Sequence, residues 1–197
     1  MKTIKSRGRE VDLEVTDTVY DPAEDTRLMM DSIFPGGSML EVGCGSGAVS
    51  ILCSLLGSKV DAVDINPDAV ALTLRNADLN GVKLNAWVSD LFASVSGKYD
   101  TIVFNPPYLP TDDKIPGAEQ WNGGPDGFGV VRRFLGAAPK FLNNYGDIFL
   151  ILSSLTNIPS LVTEFSNLRF TLAGQNSFPG ETIFCFRIEA VTTPSAP

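Results

Sequence analysis

Asn105, Pro106, Pro107 and Tyr108 close an apolar run in "YDTIVFNPPY". Neither proline has an N–H to give to a β ladder, so a strand must end here. Asn105 is held at the exit, and the turn offers an amide side chain and donor-free carbonyls to whatever sits opposite. A second group lies upstream in "EVGCGSGAV". Gly43, Gly45 and Gly47 follow an apolar stretch and open a helix-forming one, where small residues let a ligand approach the backbone. Asp64 comes about 20 residues later, at the end of the next apolar stretch, placed to accept hydrogen bonds from ribose hydroxyls. Gly43, Gly45 and Ala48 also satisfy the looser dinucleotide fingerprint. The loop by itself therefore fits a nicotinamide-dependent dehydrogenase as well as another adenosine-type cofactor. There is no histidine in the chain, which removes Ser-His-Asp hydrolysis, His-ligated zinc and imidazole general bases.

Several elements must position these residues. "SMLEV" (38–42) is a strand that stops at the glycines, and "AVSILCSLLG" (48–57) is a helix closed by Gly57. "KVDAVDI" (59–65) is a second strand. A helix over 66–81 follows, with Asn66 as N-cap, Pro67 at its first position and Gly81 at its end. "LNAWVS" (84–89) and "YDTIVF" (99–104) are the third and fourth strands. "GVVRRFLGAAPKFLNN" is helical with a break near Pro139, and "GDIFLILSS" (146–154) is the fifth strand. A short helix, "IPSLVTEFSN", precedes two closing strands, "RFTLAG" and "ETIFCFRIEA". Such alternation predicts a seven-stranded, mostly parallel α/β sheet covered by helices on both faces. The segment from Pro106 to Gly127 has no periodicity; its length marks it as functional, and it is assigned to substrate binding.

The 197 residues, 44% hydrophobic and 19% charged, suit one globular domain, here residues 1–190, with a disordered tail over 191–197. A net charge of −8 disfavours binding bare nucleic acid by phosphate neutralisation. Cys44, Cys53 and Cys185 show no CxxC spacing and read as reduced core residues of a cytoplasmic protein. No secretory signal or apolar run of membrane-spanning length is visible, and no metal site is expected. With no histidine to titrate, activity should change little between about pH 7 and 9.

The order of glycine loop, acidic second strand, "SDL" (89–91) and "NPPY" resembles a class I S-adenosylmethionine-dependent methyltransferase, and this decides between the cofactors. NPPY after the fourth strand is similar to the signature of enzymes that methylate planar exocyclic or amide nitrogens. An amide nitrogen is a weak nucleophile because its lone pair is delocalised. The Asn105 side-chain oxygen and the Pro106 carbonyl can hold both hydrogens of an NH₂ and aim its nitrogen, with Tyr108 packed on the flat face.

"VYDPAEDT" (19–26), "WNGGPDG" (121–127) and "GQNSFPGETIFCFRI" extend the likeness to the small archaeal and eukaryotic HemK-type enzymes. The helical N-terminal domain of bacterial HemK proteins has no counterpart here. The resemblance implies methylation of the glutamine in the Gly-Gly-Gln tripeptide of class I translation termination factors. It places cofactor contacts on Thr26, Glu41, Gly43, Gly45, Asp64, Ile65, Asp90, Leu91 and Asn105. Asp90 would accept from the adenine amine, while Glu41 can alternatively serve as a hydrogen-bond partner of the glycine loop. A DNA or RNA adenine methyltransferase and a non-catalytic S-adenosylmethionine-binding protein are the competing readings. Relatives also work with a small zinc-binding activator subunit. In the strand order usual for this fold, "LNAWVS" lies at an edge with no charge or proline to protect it. A partner is therefore expected along residues 82–89, with Trp87 at the contact.

Overall fold

The structure is a computed structural model that describes residues 1–108 and 124–191. The chain opens with a hairpin, β1 (Lys2–Ser6) and β2 (Arg9–Leu13), then α1 (Glu24–Ser32). The elements β3 (Ser38–Val42), α2 (Ala48–Leu55), β4 (Lys59–Asp64), α3 (Pro67–Leu79), β5 (Asn85–Val88) and β6 (Tyr99–Phe104) follow. After α4 (Gly129–Ala137) a 3-10 turn (Ala138–Phe141) leads into β7 (Leu142–Ser153), α5 (Ile158–Glu164), β8 (Leu168–Phe178) and β9 (Glu181–Ala190). Parts of two expected features lie outside the described residues: the Pro106–Gly127 segment over 109–123, which holds Trp121, and the tail from 192.

The seven-stranded sheet has the order β5-β4-β3-β6-β7-β9-β8. Its first five strands run parallel, and β9 enters antiparallel between β7 and β8. Register does the positioning. Val42 of β3 stands opposite Val63 of β4 and Phe104 of β6. The next residues, Gly43, Asp64 and Asn105, therefore leave the sheet at one level, at the carboxyl ends of adjacent strands. That is where open parallel sheets bind ligands.

These strands are nearly continuous apolar runs because both faces are covered. One face buries Met39, Ile51, Val103 and Phe149 under α1, α2 and the hairpin. The other buries Leu40, Ile102, Phe134 and Leu150 under α4 and α5. Asn66 caps α3 as expected, its side chain accepting from Asp68 N at 2.9 Å. Leu142–Asn144, assigned to the preceding helix from sequence, instead begin β7. The Pro139 break ends the helix earlier than periodicity alone indicated.

The hairpin and α1 were not anticipated. Ile4, Val11 and Leu13 point inward between charged neighbours, and Arg7-Gly8 turn the chain with φ of 51° and 73°. Positive φ at both central residues is the tight hairpin geometry. The hairpin is fastened to α3 by side-chain amides. Asn76 Oδ1 accepts from Glu14 N at 2.8 Å, and Asn80 Oδ1 accepts from Asp12 N at 2.9 Å.

Candidate active site

The glycine loop is built from backbone bonds that need its glycines. Gly43 N and Cys44 N both donate to Val63 O, at 2.7 and 3.1 Å. This bends the chain across β4, and Gly43, Gly45 and Gly47 all take positive φ. A Cβ on Gly47 would lie 2.9 Å from Thr73 Cγ2, whereas one on Gly45 would meet nothing within 4 Å. Gly45 thus faces open space while its neighbours are packed. Thr73 Oγ1 donates to Gly45 O at 3.1 Å and Asn76 Nδ2 to Ser46 O at 2.9 Å, so α3 holds the loop from below.

Two carboxylates flank it. Asp64 Oδ2 accepts from Gly45 N at 3.0 Å and Oδ1 from Asn66 N at 2.9 Å. Burial raises its pKa against these bonds. Glu41 lies under the loop, almost wholly buried, and its Oε2 accepts from Ser50 N at 2.9 Å and from Ser50 Oγ. It therefore fastens the first turn of α2, and these bonds go to the helix and not to the glycine loop. Burial pushes its pKa up to about 8, with the Ser50 bonds opposing and the Asp64 charge adding. Burial thus gives the chain a carboxylate held in its neutral form toward the pH range where a histidine would otherwise titrate.

At the end of β5, Ser89 organises the next turn. Its N–H donates to Asp64 O at 2.9 Å, and its Oγ donates to Leu91 O at 2.9 Å and accepts from Ser94 N at 3.0 Å. Leu91 is held at φ 50°, an unfavoured conformation for a leucine that surroundings must over-determine. Asp90 pairs with Arg133 of α4 at 2.7 Å. Ile65, at the tip of β4, leaves 65% of its surface exposed. Gly45, Asp64, Ile65, Asp90 and Leu91 thus lie together along the carboxyl edge. Ser89 and Arg133 were missed as supports, since hydroxyl-to-turn bonds leave no spacing in the sequence.

The NPPY turn is joined to the N-terminal segment. Asn105 Nδ2 donates to Asp25 Oδ2 at 3.0 Å, and Asp25, at the start of α1, is 4% exposed. Tyr20 OH bridges both Asp25 oxygens at 3.0 and 3.1 Å, and Thr26 N donates to Oδ1 at 2.6 Å. Asn105 Oδ1 is buried and has no hydrogen-bond partner among the described residues. A buried orphan acceptor costs about 1–3 kcal/mol, so this oxygen asks for an explanation. Pro106 is buried, while Pro107 and Tyr108 are half-buried, with Tyr108 against the core beneath α1. Burial, then the Asp25 and Glu181 charges, raises the Tyr108 pKa, so its hydroxyl stays neutral. Thr26 is buried beside Asp25, which brings the first and fourth segments of the expected site together.

This sheet order, a glycine loop after β3, an acid at the end of β4 and Asn-Pro-Pro-Tyr after β6 define a class I S-adenosylmethionine-dependent methyltransferase. The chain belongs to the Methyltransferase small domain family, whose model matches residues 23–178. It is 40% identical over 167 residues to a protein of Methanocaldococcus jannaschii named as a protein N5-glutamine methyltransferase, covering 81% of this chain and 85% of that one. It is 38% identical over 151 residues to Methyltransferase HEMK2 of Mus musculus, covering 68% and 71%. Among solved structures, the fold matches the E. cuniculi Mtq2-Trm112 complex, described as responsible for methylating the eRF1 translation termination factor. That match has a TM-score of 0.70 at 24% identity and covers 88% of this chain and 99% of that one. The enzyme uses S-adenosylmethionine, which supplies an electrophilic methyl on a sulfonium. The open face of Gly45, the Asp64 carboxylate and the exposed Ile65 fit an adenosine-bearing cofactor.

Proposed function

We propose that this chain, acting as one domain over residues 1–190, methylates the side-chain amide nitrogen of a protein glutamine. The target is the Gly-Gly-Gln tripeptide of a class I translation termination factor. The observation that carries the reading is Asn105 Oδ1, a buried acceptor without a partner among the described residues, whose own amide nitrogen is already tied to Asp25. A primary amide brings two hydrogens. One is accepted by Asn105 Oδ1 and the other by the Pro106 carbonyl, which leaves the nitrogen lone pair aimed at the methyl. As the nitrogen–methyl bond forms, the methyl–sulfur bond breaks to leave S-adenosylhomocysteine, and the methylated amide gives up one N–H proton to solvent. This is catalysis by positioning and electrostatics, and it requires no histidine base. Tyr108, kept neutral, packs on the flat face of the amide. The names borne by the archaeal relative and by the E. cuniculi complex support the glutamine and the termination factor.

We further propose a small zinc-binding activator subunit at the free side of β5. That strand is an edge of the sheet, and Val88 leaves 49% of its surface exposed. Ser89 N bonds inward to Asp64 O. By the alternation of strand backbone, the Ala86 and Val88 N–H groups then point outward, ready for strand addition. Action on a termination factor places the enzyme in the cytoplasm. Incubation with labelled S-adenosylmethionine and a termination factor, with the methyl located by mass spectrometry, tests the substrate. Label on the Gly-Gly-Gln glutamine is expected; label only on adenine-containing nucleic acid would favour the competing reading.

A further inference from the structure

We infer that Asp25 is a positioning residue that fixes which way round the Asn105 amide stands, and so decides whether the site presents an acceptor or a donor to its substrate. This inference rests on the reading that Asn105 Oδ1 receives a substrate N–H.

An asparagine amide has two nearly isosteric ends. Turned by 180° about its last torsion, Asn105 would offer an NH₂ group where the substrate's own NH₂ must donate, and donor would face donor. Something has to hold the productive orientation, and the partners of Asp25 show what does. The groups bonded to this carboxylate are all donors. Oδ1 accepts from Thr26 N at 2.6 Å, Thr26 Oγ1 at 3.4 Å and Tyr20 OH at 3.0 Å. Oδ2 accepts from Asn105 Nδ2 at 3.0 Å and Tyr20 OH at 3.1 Å. A carboxylate has acceptors only, so the end of Asn105 that faces it must be nitrogen. Oδ1 of Asn105 is then turned to the other side, where it is buried and unpartnered among the described residues. The rest of the cradle is set by burial: Asp25 and Thr26 are 4% and 7% exposed.

The same bonds dictate what an amide at position 25 would do. The Thr26 N–H is a backbone donor, so the atom beside it must remain an oxygen. In D25N the new NH₂ therefore occupies the place of Oδ2 and faces Asn105. Asn105 must turn over to accept from it, and its own NH₂ then meets the substrate. An aspartate at position 105 cures this, because it offers an oxygen at either end. One oxygen accepts from the amide introduced at position 25 and the other from the substrate. In N105D alone, two carboxylates face each other across the distance of a hydrogen bond, which is unfavourable.

The test compares wild type, D25N, N105D and D25N/N105D in single-turnover methyl transfer to a termination factor at saturating cofactor. Each single variant should lose about 100-fold or more in rate, the scale of removing one preorganised polar contact. S-adenosylhomocysteine affinity in D25N should stay within about threefold of wild type, since the loss lies in the chemical step. The swapped pair should run about tenfold or more faster than either single variant, the mark of direct coupling. D25N at wild-type rate, or a swapped pair no faster than N105D, overturns the inference. The second comparison still decides the matter if D25N does not fold. A substrate-free measurement separates this inference from the substrate assignment. In nitrogen-15 spectra, one Asn105 side-chain amide proton, assigned by its absence in N105D, should lie downfield in wild type and lose that displacement in D25N. An unchanged shift overturns the lock. The expected change without any transfer to the termination factor leaves the lock standing and removes the substrate assignment.

Discussion

Asp64 Oδ2 accepts the Gly45 N–H at 3.0 Å, so the middle of the glycine loop hangs from the end of the neighbouring strand. The same side chain is the one expected at the ribose. Asp64→Ala should therefore lower cofactor affinity before it touches chemistry. Loss of a hydrogen bond to a charged group, worth about 1.5–3 kcal/mol, corresponds to roughly 10- to 100-fold in the dissociation constant of S-adenosylhomocysteine. Calorimetry checks it, and an unchanged constant would detach Asp64 from the cofactor.

Asn105→Ala should act in the opposite order. The acceptor is lost and the transfer rate collapses, by about 100-fold or more, while cofactor binding is weakened but present. Single-turnover rates beside a binding isotherm separate the two effects. Wild-type turnover in this variant would mean that Asn105 orients nothing.

Glu41 supplies the pH dependence. Its pKa is raised from 4.5 to about 8 by burial, so the folded chain binds this proton more tightly than the unfolded chain does. The stability it contributes is whole below about pH 4.5 and is lost as the pH rises through about 8. Denaturant melts should thus show stability falling across that window in the cofactor-free protein, with the fall reduced in Glu41→Gln. A cationic ligand beside Glu41 favours the ionised form. Binding of S-adenosylmethionine near pH 7 should then release protons, seen as a heat that varies with the buffer's ionisation enthalpy. A buffer-independent heat would place Glu41 away from the ligand's charge.

Trp87 was expected at the partner contact, but it is half-buried, donates from Nε1 to Ser94 O at 3.1 Å and packs on the α4 side of the sheet. Replacing it would damage this chain itself. Val88→Pro is the cleaner probe, since it removes one outward N–H and leaves the inward ladder intact. Copurification with the activator subunit should fall sharply while S-adenosylhomocysteine binding holds. Undiminished copurification would move the partner elsewhere.

The βα alternation was legible because each strand is a short apolar run bounded by glycine, proline or asparagine, and each long helix carries its own stop. Gly43, Asp64 and Asn105 could be nominated because each follows such a run directly, and parallel register then made them neighbours. The hairpin was legible in principle, from Ile4, Val11 and Leu13 alternating with charges around Arg7-Gly8, but its charge obscured the pattern. Asp25 was not. It meets Asn105 across 80 positions of sequence, and one of several acids in "DPAED" announces no such contact. The raised pKa of Glu41 was equally hidden, because it comes from burial under α2 and not from any neighbour in sequence.

The interleaving of β9 between β7 and β8 has a consequence for how the enzyme comes into being. α1 rests on β7, β8 and β9, and Gly174 leaves the room for it, since a Cβ there would lie 2.5 Å from Ser32 Oγ. The acid that orients Asn105 rides on α1, so part of the seat of that helix is supplied by the last strands of the chain. The Asp25–Asn105 contact thereby depends on strands that come last in chain order.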